Sequence, residues 1–192
     1  MPPTQRTDAR RNHERLLAAA QEAFAETGAE ASLNDIARRA GVGPGTLYRH
    51  FPTRAALLAA VLEERVERLC ARADELTATR PADQALAEWL RAFIAHARTN
   101  HGLGGALLLE ASDALDADCH RRIEDAAAAV LTHAQRNGTA RPDLAADDLL
   151  QLALGIALTT TGPGPDREAR ADRLLALALD GVHAPAPGRA AT

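Results

Sequence analysis

The side chains best suited to recognising another molecule lie close together in residues 46–50. Thr46, Tyr48, Arg49 and His50 all carry hydrogen-bond donors, and they fall in one short stretch between two prolines. Such donors bind phosphate oxygens and the base edges of nucleic acids, whereas a helix buried in a protein core carries mainly apolar side chains. The segment therefore predicts a nucleic-acid contact surface.

The elements that position these side chains are two short helices joined by a tight turn. The first is predicted over residues 32–40. It begins with a capping box, in which the Ser32 hydroxyl accepts an amide hydrogen bond and Asp35 reaches back. The second helix spans 44–50 and follows the turn Gly41-Val42-Gly43. Two helices joined in this way form a helix-turn-helix, whose second helix enters the major groove of DNA.

The remainder of the chain is also predicted to be helical. Apolar residues recur at helical spacing, no segment alternates as a strand does, and the composition is rich in Ala, Leu and Arg. Gly102 and the run Gly162-Pro163-Gly164-Pro165 are predicted to separate helices. We predict an all-α fold of about nine helices. They are placed at residues 8–27, 32–40, 44–50, 53–79, 82–100, 103–114, 117–137, 145–161 and 166–182.

This pattern predicts two domains flanked by unstructured ends. A disordered N-terminal arm is expected at 1–7 and a disordered tail at 184–192, since both are rich in Pro, Ala, Gly or polar residues. A three-helix domain containing the helix-turn-helix is expected at 8–52. A larger helical domain is expected at 53–183, and the long fourth helix joins the two.

Charge is unevenly distributed along the 192-residue chain. Residues 1–56 carry eight arginines against six acidic residues, whereas the remainder carries fourteen against twenty. All 22 basic residues are arginine, so any cationic contact to DNA must come from a guanidinium group. A mildly basic head on an acidic body is typical of a protein that presents one end to DNA.

Several features predict a cytoplasmic protein without a membrane partner. No apolar run approaches the roughly 20 residues that span a bilayer. The N-terminus lacks the apolar segment of a signal peptide. Cys70 and Cys119 are far apart in the sequence and are predicted to be free thiols in a reducing compartment.

Over about residues 10–66 the sequence resembles the TetR family of bacterial transcriptional regulators. The family's Y-x-H/Y-F box stands here as Tyr48-Arg49-His50-Phe51, whereas the lysine that commonly follows the box is replaced by Arg54. The other residues that carry the resemblance are Phe24, Gly28, Asp35-Ile36-Ala37, Ala40-Gly41-Val42, Leu47 and Leu57-Leu58. It implies a homodimeric regulator that binds a pseudo-palindromic operator. Members of this family are usually repressors that a small-molecule effector releases from the operator.

The resemblance also implies which residues contact double-stranded DNA. Tyr48 and His50 match positions that bind phosphates in the family, whereas Arg49 is suited either to a guanine or to a phosphate. Arg54 retains a phosphate contact with a geometry different from that of lysine. The full set of predicted DNA-binding residues is Arg10, Arg11, Ser32, Gly43, Pro44, Gly45, Thr46, Tyr48, Arg49, His50 and Arg54.

In the family the larger region binds the effector and dimerises. The last two predicted helices are apolar over most of their circumference, which predicts a four-helix dimer interface made from two copies of this pair. The predicted interface residues are Leu150, Leu154, Leu158, Leu174, Leu175, Leu177 and Leu179.

A ligand pocket is one of two interpretations of the region between the fourth helix and that pair. Trp89, Phe93 and His96 share one helical face, as they would either in an ordinary core with a satisfied histidine or around a ligand. The paucity of aromatic residues favours an aliphatic or small polar effector. The predicted lining is Trp89, Phe93, His96, Leu103, Leu107, Cys119 and Ile123.

Three other functions fit the sequence less well. An enzyme is disfavoured because residues 41–46 resemble a phosphate-binding loop but have neither a preceding strand nor a lysine. A zinc site is disfavoured because His96 and His101 lie five residues apart, and because Cys119 and His120 point in different directions on a helix. We therefore predict no catalytic residue, cofactor or metal. A helical adaptor that has kept the fold but lost operator binding remains the principal alternative.

Overall fold

The computed structural model describes the backbone of residues 3–107, 113–162 and 164–183, and the side chains of 7–100, 117–162 and 164–183. These residues form eight α-helices and one short 3₁₀ turn. The bounds are α1 Pro3–Thr27, the turn Gly28–Glu30, α2 Leu33–Arg39, α3 Pro44–His50, α4 Arg54–Thr79, α5 Ala82–Leu107, α6 Asp113–Arg136, α7 Ala146–Thr159 and α8 Arg167–Val182. The all-α prediction is confirmed, and within the described ranges the extended pairing is a single bridge between Ala140 and His183.

Several predicted helix boundaries are wrong, and the described residues form eight α-helices where about nine were predicted. No separate helix corresponds to the one predicted at 103–114, since residues 103–107 belong to α5 and α6 begins at Asp113 instead of residue 117. Helix α5 continues through Gly102 to Leu107, where a break had been predicted. A glycine inside a helix costs only about 1 kcal/mol, which a long helix readily absorbs. Helix α1 begins at Pro3, so residues 3–7 are helical rather than part of a disordered arm. Proline is well tolerated in the first turn, where its missing N–H has no helical partner. Residues 108–112 and the predicted tail at 184–192 lie outside the described residues.

The chain divides into two compact units. The described residues of 1–65 and 99–116 form the first, which we call the head, and those of 66–98 and 117–192 form the second, the body. The predicted domain boundary preceded Thr53, whereas the units divide within α4, between Arg65 and Val66. The difference arises because the first turns of α4 supply Leu57, Leu58 and Val61 to the core of the head.

The core of the head holds the two helix-turn-helix helices against α1. Ile36 from α2 and Leu47 from α3 are fully buried, and they pack in one cluster with Leu16 and Phe24 of α1. Phe51, the residue after α3, is buried in the same cluster. The burial of Leu47 and of the adjacent Phe51 in this cluster therefore holds α3 in place, although it has only seven residues.

The body has its own core, built around a buried tryptophan. Trp89 of α5 is fully buried, its indole N–H donates to the Leu69 carbonyl at 3.1 Å, and its ring stacks on that of Phe93 with centroids 5.8 Å apart. Val130 of α6 and Leu149 of α7 pack in the same cluster. Among the described helices, none is both long and apolar enough to cross a membrane.

Candidate nucleic-acid interface

Helix α2 begins with the predicted serine cap, but only half of the capping box forms. The Ser32 hydroxyl accepts a hydrogen bond from the Asp35 amide at 3.4 Å. The Asp35 carboxylate does not complete the box; it accepts hydrogen bonds from Arg38 and from Arg39, the latter at 2.9 Å. Arg39 also pairs with Glu26 at 2.8 Å. These guanidinium groups lower the pKa of the Asp35 and Glu26 carboxyls, so both stay ionised at neutral pH and offset the charges of the two arginines.

The turn between α2 and α3 depends on a glycine with a left-handed backbone. Gly41 has φ +65°, and the Arg15 guanidinium of α1 lies where a Cβ atom would be. The Val42 amide donates to the Ala37 carbonyl at 3.0 Å, which closes the end of α2. The bend between the helices therefore rests on a conformation that residues with a side chain adopt only at a cost.

Gly41→Ala is expected to lower the free energy of unfolding by about 1–2 kcal/mol, since alanine adopts this backbone conformation with strain. Displacing the flexible Arg15 side chain adds little to that cost. The measurement is urea unfolding of the full chain. The matched control is Gly45→Ala in α3, where the added methyl meets nothing within 4 Å and φ is ordinary. If both variants lose equal stability, backbone strain at residue 41 is not the cause.

Helix α3 presents a polar face above its buried side. Pro44 occupies its first turn, and Leu47 is buried beneath. Gly43 and Gly45 are exposed with open space at their missing side chains, so the N-terminal end of the helix offers no steric barrier to a duplex. Tyr48 is 48% exposed, which is unusual for so large a side chain in this protein. The predicted residues 43–46 and 48–50 thus surround the exposed part of this one short helix, with Leu47 beneath them.

Arg49 lies along this face and bonds to its own helix. Its Nε donates to the Gly45 carbonyl at 3.1 Å, and its Nη2 donates to the Thr46 hydroxyl at 3.2 Å. Both bonds are on the exposed surface, so the guanidinium exchanges them for water or another acceptor at small net cost. Arg49 therefore lies next to the one threonine expected to meet base edges.

His50 stands between the polar face and the core. Its ring lies 5.7 Å from that of His13 in α1, and His13 lies 4.9 Å from Phe51. Partial burial, with smaller contributions from His13 and Arg49, lowers the pKa of His50 below its usual value. His50 is therefore mainly neutral at pH 7 and suited to donate a single neutral hydrogen bond.

The remaining arginines predicted to contact DNA differ in their surroundings. Arg10 and Arg11 are exposed on α1, and Arg10 pairs with Glu14 at 2.9 Å. Arg54 differs, because its Nη1 donates to the Ala29 carbonyl at 2.6 Å and to the Ala31 carbonyl at 2.7 Å. The sequence had suggested only a phosphate contact for Arg54, and nothing in the local spacing pointed to these carbonyls more than twenty residues away.

In the body, the structure separates the leucines predicted to form a dimer interface. Leu150, Leu175 and Leu179 are buried in the chain's own core, so they are not available to a partner, and Leu174 is half-buried. Leu154, Leu158 and Leu177 are exposed. Leu152, which had not been included, is exposed as well. The sequence treated each apolar helix as uniformly available, whereas one side of it packs against its own chain; an interface through the exposed leucines stays a prediction.

The residues predicted to line a ligand pocket are mostly core residues. Trp89, Phe93 and Cys119 are buried, and His96 and Ile123 are partly buried. The side chains of Leu103 and Leu107 lie outside the described residues. Within the described part of the chain, no three His, Cys, Asp or Glu side chains are grouped so as to hold a metal ion. Residues 41–46, which resemble a phosphate-binding loop, form the turn and the start of α3 rather than following a strand.

Two family profiles match the chain. Residues 16–61 match "Bacterial regulatory proteins, tetR family", and residues 80–184 match "Transcriptional regulator SbtR-like, C-terminal domain". The second match covers more than half of the chain. It extends the similarity well beyond the region in which the sequence motifs are recognisable by eye.

Solved structures and characterised relatives resemble the chain to different extents. The structure of a TetR transcriptional regulator from Streptomyces coelicolor is 40% identical, with TM-score 0.81, over 91% of this chain and 99% of that one. A TetR regulatory protein from Mycobacterium vanbaalenii is 32% identical, with TM-score 0.76, over 93% and 99%. The HTH-type regulator UidR of Escherichia coli is 38% identical over 73 residues, or 38% of this chain. That match spans only 37% of the length of UidR.

Proposed function

Because the chain belongs to the TetR family of transcriptional regulators, we propose that it binds a pseudo-palindromic operator as a homodimer and is released by a small-molecule effector. The observation that carries the proposal is the exposed polar face of α3, held by apolar contacts to α1 and α2. A duplex is the ligand that such a face fits, since a recognition helix enters the major groove with its N-terminal residues toward the bases.

The residues of α3 divide between base edges and phosphates. Thr46 lies in the first turn, where its methyl group is suited to a thymine methyl and its hydroxyl to a hydrogen-bonding base edge. Tyr48 and His50 are donors on the same surface and are assigned to phosphates. The open backbone at Gly43 and Gly45 permits close approach to the groove. Arg49 is assigned to a base or phosphate adjacent to Thr46.

A second copy of the chain is the partner proposed for the exposed side of α7. That side consists of Gln151, Leu152, Leu154, Gly155, Leu158 and Thr159, all exposed and none charged. A solvated helix face normally carries charged residues, and Gly155 allows another helix to approach closely. On α8, Leu177 is 69% exposed and continues the apolar surface. The proposed four-helix interface therefore uses Leu152, Leu154, Leu158 and Leu177 at its centre.

Effector release is proposed to act through helix α4. We place the effector in the body, in the region of Trp89, Phe93, His96, Cys119 and Ile123. Helix α4 contributes residues to both the head and the body, so a change in its direction on effector binding alters the spacing of two recognition helices. Half-sites lie about 34 Å apart along the duplex, and a shift of a few Å spoils that match. Effector and DNA would then bind with negative coupling.

The test begins with selection of a duplex by the protein from a random-sequence pool. We expect a selected site with two-fold symmetry and binding that weakens steeply with salt. Tyr48→Phe is expected to weaken binding to the selected and to a scrambled duplex alike, by about tenfold, because each protomer loses a hydrogen bond to phosphate. Thr46→Val is expected to reduce the preference for the selected duplex.

The control for these variants is Thr79→Val at an exposed position of α4 in the body, which is expected to leave DNA binding unchanged. If the wild-type protein selects no duplex and shows no salt-sensitive binding, the alternative of a helical adaptor is correct. Release of the selected duplex by a metabolite extract supports the effector. Unchanged operator affinity in the presence of every small molecule that binds the protein contradicts it.

A further inference from the structure

We propose that Arg54 is a positioning residue, which holds the recognition helix in place by binding two backbone carbonyls, and that this role, and not a phosphate contact, is its main contribution to DNA binding. Its Nη1 donates to Ala29 at 2.6 Å and to Ala31 at 2.7 Å. Nη1 carries two N–H groups and uses both on these carbonyls, so the carbonyl bonds fix the plane of the guanidinium, whose other donors are on Nε and Nη2. The proposal rests on the proposed DNA binding, since it concerns how α3 is presented to the duplex.

These bonds close a ring that contains the whole helix-turn-helix. Ala31 immediately precedes the cap of α2, and Arg54 is the first residue of α4. Between them the chain passes through α2, the turn and α3. The guanidinium therefore links the entrance of the motif to its exit. Because α3 is joined to α4 by only residues 51–53, anything that fixes the start of α4 also limits the position of α3.

The charge of Arg54 is placed where a helix by itself disfavours it. The N-terminal end of a helix carries partial positive charge, so a cation in the first turn of α4 is unfavourable. The Ala29 and Ala31 carbonyls offset that cost, because both accept from the charged group and charge-assisted bonds are stronger than neutral ones. Ala31 and Ala29 are themselves buried, which makes the site of attachment rigid.

Arg54 therefore differs from the arginines assigned to DNA. Arg11 and Arg49 are exposed, and the hydrogen bonds of Arg49 lie within its own helix. Arg54 is partly buried, and its bonds join segments 23 and 25 residues apart. A long-range bond from a partly buried cation is a structural constraint, whereas an exposed local one is easily exchanged for a phosphate oxygen.

The experiment compares Arg54→Gln and Arg54→Lys with Arg11→Gln and with Arg136→Gln. Arg11 is exposed on α1 and belongs to the predicted DNA-binding residues, and we assign it here to a phosphate. The Arg136→Gln variant removes one charge from an exposed position of α6 in the body. For each full-length protein, dissociation constants are measured for the selected duplex and for a scrambled duplex over a range of salt concentrations. Affinity falls as salt rises, and we use the term salt slope for the magnitude of the slope of log K against log salt. Losing one phosphate contact per protomer lowers this magnitude by about 0.9 for each protomer.

For Arg54→Gln we expect about tenfold or greater loss of affinity for the selected duplex, little loss for the scrambled one, and an unchanged salt slope. Arg54→Lys is expected to recover most of the lost specificity, since an ammonium group also binds carbonyl oxygens. Arg11→Gln is expected to lower both affinities and the slope. An equal loss on both duplexes with a lower slope for Arg54→Gln overturns the proposal.

A second measurement needs no DNA. Amide hydrogen exchange of the free protein is expected to be faster across residues 31–54 in Arg54→Gln than in wild type, with exchange in the body unchanged. Unchanged exchange in residues 31–54 overturns the positioning role. If instead the wild type selects no duplex while the exchange difference is present, the proposed DNA binding fails and the positioning of α3 by Arg54 stands.

Discussion

Leu158→Arg is expected to convert the proposed dimer into monomers and to raise its dissociation constant by roughly a thousandfold or more. Leu158 is 45% exposed on the uncharged side of α7, so the arginine is solvated in the monomer and the fold is retained. In the dimer the two-fold axis places two such charges in an apolar interface without partners, at a cost of several kcal/mol. Sedimentation velocity over a range of protein concentrations measures the change.

Binding to the symmetric operator is expected to fall with the dimer. A lone head contacts one half-site and loses the gain from two linked contacts. The matched control is Ala129→Arg, which introduces the same side chain at an exposed position of α6. The control is expected to remain dimeric. A Leu158→Arg protein that sediments as wild type does would show that α7 does not form the interface.

Trp89→Ala is expected to lower the free energy of unfolding by about 3–5 kcal/mol, the usual cost of removing a large aromatic side chain from a core. Trp89 is fully buried, and the loss includes its stacking on Phe93 and its hydrogen bond to the Leu69 carbonyl. Since folded domains are stable by only about 5–15 kcal/mol, this one change removes a large part of the stability. Thermal unfolding is expected about 10 °C or more below wild type.

Trp89→Phe separates the contribution of the aromatic ring to stability from that of the hydrogen bond. Phenylalanine keeps an aromatic ring in the core but has no N–H for the Leu69 carbonyl, so a smaller loss of about 1–3 kcal/mol is expected. A loss of less than about 1 kcal/mol for Trp89→Ala would contradict the claim that the Trp89 side chain stabilises the core of the body. It would favour the other interpretation, in which the ring borders a space that a ligand fills.

The helix-turn-helix was predictable because its signals are local. The Ser32 hydroxyl caps the amide three residues later, Gly41 provides a left-handed turn, and Pro44 starts a helix. Each of these requires only near neighbours in sequence, and the spacing of Ile36 and Leu47 on the buried sides of α2 and α3 follows from helical periodicity. For the same reason the exposed polar face of α3 was predicted residue by residue.

The features that were not predicted are decided either by competition between near neighbours in the sequence or by packing against distant parts of the chain. Asp35 binds Arg38 and Arg39 instead of the Ser32 amide, because two guanidinium groups compete for one carboxylate. Helix α5 passes through Gly102, since a small local penalty does not end a long helix. The sequence does not show which leucines of α7 and α8 pack against the chain's own core, yet in the structure Leu175 is buried and Leu177 is exposed.

By itself the sequence determined that this protein is helical, that it carries a helix-turn-helix at residues 32–51, and that the chemistry of α3 suits DNA. Only the tertiary structure decided which leucines remain for a partner and that Arg54 is bonded to the Ala29 and Ala31 carbonyls. The physical reason is the range of the interactions. Caps, turns and periodicity act over a few residues, whereas burial and carbonyl contacts depend on which segments the fold brings together.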